Sequence, residues 1–67
     1  MKTYTIVVHD RRWREPMTLA AELAHDARAC EFARQRLGAS DDIEAIEVWR
    51  NGARLYQVSL ADALDAA

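Results

Sequence analysis

The single cysteine, Cys30, excludes an intrachain disulfide, and a lone thiol suits a reducing compartment better than a secreted one. The two glycines, Gly38 and Gly52, are too few and too far apart to form a glycine-rich phosphate loop. No apolar run approaches the roughly 20 residues that a membrane helix needs. The stretch Ile6-Val7-Val8 is too short for a secretion signal and runs straight into charge, so the expectation is a cytoplasmic chain. A net charge of −2 supplies no global field to draw the protein onto nucleic acid or an anionic membrane.

What is present is enough for one domain spanning residues 1–67. The hydrophobic fraction is 51%, but much of it is alanine, which fills little volume. A core this small needs reinforcement by disulfides, a metal or association with another chain. With the first excluded and the second weakly supported, self-association is the expectation.

Along the chain, Thr3 to His9 alternates as a strand, with Tyr4, Ile6 and Val8 on one face. Asp10 to Glu15 reads as a polar loop holding Trp13. Pro16 and Thr18 offer alternative helix starts, and Met17 to Leu37, rich in Ala, Leu, Glu and Arg, reads as a helix closed by Gly38. Its apolar stripe would be Leu19, Leu23, Ala27, Cys30 and Leu37, with Phe32 nearly opposite. Ile43 to Val58 reads as a hairpin around Asn51-Gly52. A two-residue turn pairing Arg50 with Ala53 would split Ile46 and Val48 from Tyr56 and Val58. A three-residue loop pairing Trp49 with Ala53 unites all four, and is preferred on that ground. Ser59 to Asp62 resembles a capping box, so a short C-terminal helix follows.

The expected fold is therefore α+β in the order β-α-β-β: a three-stranded mixed sheet, one helix packed on one face, and a short C-terminal helix. The core would hold Tyr4, Ile6, Val8, Leu19, Leu23, Ala27, Leu37, Ile46, Val48, Tyr56 and Val58. The uncovered face would carry Val7, Trp49 and Leu55 beside Thr5, Glu47 and Gln57, a plausible contact surface. Phe32 on the outer side of the helix is a second such spot.

Residues able to run chemistry are sparse. His25 and Cys30, five apart on a helix, would diverge by about 140° and could not share a metal or form a nucleophile–base pair. No serine sits in a nucleophile elbow. The strand–helix–hairpin plan looks like that of the small tautomerases, which use an N-terminal proline as base. Lys2 stands in that place here, so a tautomerase-like fold without its catalytic group is one alternative. Arg11, Arg12, Trp13 and Arg14 form the densest cationic cluster; with Arg50 and Arg54 they could grip phosphates and stack a base. Asp10 and Glu15 flank that cluster and oppose this use.

The run from Ile46 through Trp49-Arg50-Asn51-Gly52 to Leu64 resembles the closing hairpin and tail of small uncharacterised bacterial proteins that carry an Ala-rich helix before the hairpin. That resemblance implies no activity. The expectation is a non-enzymatic protein-binding or regulatory module without cofactor or metal. It would be an accessory subunit or inhibitor of a larger protein, or a homo-oligomer, contacting its partner through Trp49, Leu55, Trp13, Arg12 and Phe32. Nucleic-acid contact through the Arg11–Arg14 loop is the second expectation.

Overall fold

In the computed structural model, which describes residues 1–60, the chain forms β1 (Lys2–Asp10), β2 (Met17–Leu23), α1 (Asp26–Gly38), β3 (Ile43–Arg50) and β4 (Ala53–Ser59). The strands make one sheet in the order β2-β1-β3-β4, with every neighbouring pair antiparallel. The α+β class expected from the sequence holds. The three-stranded mixed sheet does not, because the first half of the expected long helix is a strand. The short C-terminal helix expected beyond Ser59 falls largely on residues 61–67, outside the described part.

The segment Met17-Thr18-Leu19-Ala20-Ala21-Glu22-Leu23 has helix-forming composition, yet it also alternates. Leu19, Ala21 and Leu23 are half-buried while Thr18, Ala20 and Glu22 are exposed. Alternation lets it pair with β1 over its whole length, Lys2 with Leu23 through Val8 with Met17. Pairing and burial outweigh a few tenths of a kcal/mol per residue of helix preference. The helix starts instead at Asp26. His25 is its N-cap, in extended conformation, with Nδ1 accepting the Arg28 N–H at 3.3 Å. Asp26 in the first turn and Arg36 in the last suit the helix dipole. The buried helical residues are Ala29, Ala33 and Leu37, spaced one turn apart, in place of the stripe through Ala27 and Cys30. Ala27 is exposed and Cys30 half-buried.

The core comprises Tyr4, Ile6 and Val8 from β1, Ile43, Ile46 and Val48 from β3, Val58 from β4 and the three helical residues. Leu19, Ala21, Leu23, Phe32 and Tyr56 pack around its margin. Small alanines at the helix contact let the backbone of α1 approach the sheet closely.

Two bulges bring the apolar residues of β3 and β4 to the same side. The hairpin turn has two residues, Asn51 and Gly52, both at positive φ (54° and 78°), and pairs Arg50 with Ala53. This corrects the expected three-residue loop. The faces are reconciled further along: Val48 pairs with Tyr56 and Trp49 with Arg54, leaving Leu55 as the unpaired extra residue. At the other end of β3, a register shift beside Asp10 brings Ile43 to the core face alongside Ile46.

This geometry predicts that deleting Leu55 removes only the bulge and preserves cooperative unfolding. Val58→Asp instead places an unpaired charge in the core and abolishes it; thermal melts of the two variants distinguish them. Gly52→Ala, at positive φ, should cost about 1 kcal/mol, lowering the midpoint by roughly 4–8 °C.

Candidate interaction site

The uncovered sheet face is built by the alternate residues of its strands: Thr5, Val7 and His9 from β1, Ala45, Glu47 and Trp49 from β3, and Gln57 from β4. Its centre is polar. Glu47 Oε2 lies 2.5 Å from His9 Nε2, its diagonal neighbour across the β1–β3 ladder. Glu47 Oε1 accepts from Trp49 Nε1 at 3.2 Å and from Arg54 Nη1 at 3.5 Å. The hydrogen bond to His9, reinforced by those from Trp49 and Arg54, holds the Glu47 carboxyl below its ordinary range against the opposing effect of burial. Trp49 is thus half-buried and tethered by its indole N–H, while the bulged Leu55 beside it is 43% exposed. Trp49 stands on this side of the sheet, and Leu55, the bulge residue without a partner on β3, is exposed. The hub beside Trp49, Glu47 with His9, was missed as a site. Its signal in the sequence was two complementary polar residues on the same face of neighbouring strands.

The Arg11–Arg14 loop connects β1 to β2 and is organised by Asp10. The Asp10 carboxylate is completely covered and accepts from the Arg12 backbone N–H at 2.8 Å and from Arg12 Nε and Nη2 at 2.9 and 2.6 Å. These hydrogen bonds lower the pKa of Asp10 despite its burial. Arg11 Nε donates to Asp42 at 2.8 Å, and the Arg11 N–H donates to the Asp42 carbonyl at 2.9 Å, stapling this loop to the one before β3. The Arg12 guanidinium also lies over the Trp13 ring, 5.6 Å from its centroid. Two of the three loop arginines therefore carry their own counterions. Arg14 is exposed and makes no ion pair among the described residues.

Arg50 and Arg54 do not join this cluster. They flank the turn at the opposite end of the sheet, about 20–24 Å away along β1. There Arg50 pairs with Asp26 at 3.3 Å, and Asp26 accepts the Tyr4 hydroxyl at 2.5 Å. That hydroxyl contact, with Arg50 adding to it, lowers the Asp26 pKa, while burial and the same contact raise that of Tyr4.

A third region lies where α1 fails to cover β2. The helix packs mainly over β3 and β4 and barely reaches β2. Leu19, Ala21 and Leu23 stay half-buried there, Met17 is 39% exposed, and Phe32 leans from α1 over the same margin. Phe32 thus stands on the flank of the helix nearest β2, not on its outer side. A shallow cleft of about 170 Å³ runs beside it, lined by Leu23, Arg28, Glu31, Phe32 and Gln35. The outer edge of β2 has no strand beside it among the described residues.

No group of three or more His, Cys, Asp or Glu side chains is placed to hold a metal ion among the described residues. No helix there is long and apolar enough to cross a membrane. The tautomerase likeness rested on a strand–helix–hairpin plan, and the chain does not adopt that plan. No family model matches the chain, and no curated protein or solved structure shows significant similarity to it.

Asp10, Asp26 and Glu47 all have lowered pKa values, so each adds stability above the ordinary carboxylate range that is lost as pH falls through its folded-state value. The melting temperature should therefore fall as the pH drops below about 4. Asp10→Asn should be less stable at neutral pH and show a shallower acid fall, as measured by melts across pH.

Proposed function

We propose that this chain is a small non-enzymatic protein-binding module that works as a self-associated pair, in a regulatory or accessory role in the cytoplasm. The observation that carries this reading is the uncovered β2 margin, where half-buried Leu19, Leu23 and Phe32 border an edge strand. What the fold leaves unfilled there is apolar side chain and backbone, which binds rather than reacts. A domain of this size gains most from burying such a margin against a second chain. The open sheet face, with Trp49 half-buried beside the Glu47 hub, is a more polar and weaker candidate for a further contact.

Nucleic-acid binding draws less support. Phosphate contact needs cations free to replace counterions. Arg11 and Arg12 are already paired with Asp42 and Asp10, and Arg50 and Arg54 lie at the far end of the sheet.

Sedimentation equilibrium from about 1 to 200 µM, a range bracketing ordinary affinities for modest interfaces, should show a species of twice the 7.6 kDa chain mass. A monomer throughout that range would sink the self-association reading.

A further inference from the structure

We infer that the pair forms by antiparallel pairing of β2 with the β2 of a second copy, about a two-fold axis at Ala20, giving one continuous eight-stranded sheet. This inference rests on the self-association reading above and names its geometry.

The two edges of the sheet differ. Native edge strands are usually blunted by bulges, charge or proline. At one edge, β4 carries the bulge at Leu55 and, like β2, a single charged residue, Arg54. At the other, β2 pairs with β1 without any register shift and has one charged residue, Glu22, among its seven. Pro16 stands just before it and not within it. The outer backbone groups of β2 are thus a flat, regular template for another strand.

The side chains select a second copy of the same strand. With Ala20 facing Ala20, Met17 lies opposite Leu23, Leu19 opposite Ala21 and Thr18 opposite Glu22. All seven residues pair, and the alternation is preserved. The apolar margin of each copy lies beside that of the other on the helix-bearing side, and Thr18 can donate to Glu22 on the open side. A shift centred on Glu22 would set like charges face to face, and one centred on Leu19 would put Pro16 opposite Glu22. The flanking charges fit the same register: Arg14 and Glu15 precede the strand while His25 and Asp26 follow it. Antiparallel copies therefore bring Arg14 towards the second copy's Asp26 and Glu15 towards its His25. Arg14, without an ion pair among the described residues, gains one. The helices lie on one side of the joined sheet, with the clefts beside Phe32 facing across the axis.

Ala20 is exposed and pairs with Thr5 within its own chain, so either sign of charge is tolerated there by the fold. Ala20→Lys and Ala20→Glu, each confirmed folded by a thermal melt, should weaken self-association at least about tenfold when alone, because like charges meet at the axis. Mixed in equal amounts, the two variants should restore the dimer in sedimentation. If the wild type dimerises and both variants dimerise equally well, strand pairing at β2 is overturned while self-association stands. If both variants are monomeric and their mixture stays so, the axis at Ala20 is overturned. A wild-type monomer overturns both this geometry and the reading beneath it.

Discussion

One helix cannot roof four strands, and much of the molecule follows from that mismatch. Four strands spaced about 4.8 Å apart place the outer strand axes roughly 14 Å from each other. A helix with its side chains is about 10 Å across. The 13-residue α1 settles over β3 and β4, so residues on those strands and on central β1 reach full burial while none on β2 does. The thin alanine contact of α1 sharpens the effect. Ala29 and Ala33 bring the helix close but extend little laterally, leaving Phe32 as the side chain that leans towards β2.

The ends of the sheet are secured by ion pairs rather than by apolar packing. At one end the buried Asp10 carboxylate grips Arg12 and shapes the β1–β2 loop, and Arg11 ties that loop to Asp42. At the other, Tyr4 and Arg50 converge on Asp26 at the start of α1. Asp10 is a covered charge satisfied by several partners, the condition under which burial of charge is tolerated, whereas Asp26 stays exposed. The same arrangement consumes two of the three arginines, Arg11 and Arg12, that make the Arg11–Arg14 segment look like a phosphate-binding loop when read as a string.

Strand identities that depend on alternation were readable from residues alone: β1 through Tyr4, Ile6 and Val8, and β3 through Ile46 and Val48. So was the need to put Tyr56 and Val58 on their side, although the means was a bulge at Leu55 and not a longer turn. A parity mismatch in sequence shows that a slip exists but not where the chain absorbs it. The β2 segment was misread because its composition and its alternation point in opposite directions, and only the partner strand decides between them. The helix start was hidden by an unusual cap, since His25 fills a place more often taken by Ser, Thr or Asp. The alternation of β3 places Trp49 on the open face, while the bulge takes Leu55 out of the alternation. The Glu47 hub beside Trp49 depends on a diagonal contact whose register was not available from one strand.

Strand order also has a consequence for synthesis. β1 emerges first, yet it lies between β2, which follows at once, and β3, which comes only after the helix. As the chain leaves the ribosome, β1 and β2 can form a hairpin early, because their pairing is local. The other side of β1 then waits for some twenty more residues before its permanent neighbour arrives. In that interval the open edges are those of β2 and β1, whereas in the finished sheet they are those of β2 and the bulged β4. A nascent chain is thus briefly more prone to join a neighbour than the finished protein, and prompt arrival of Ile43–Arg50 becomes the step that limits misassembly.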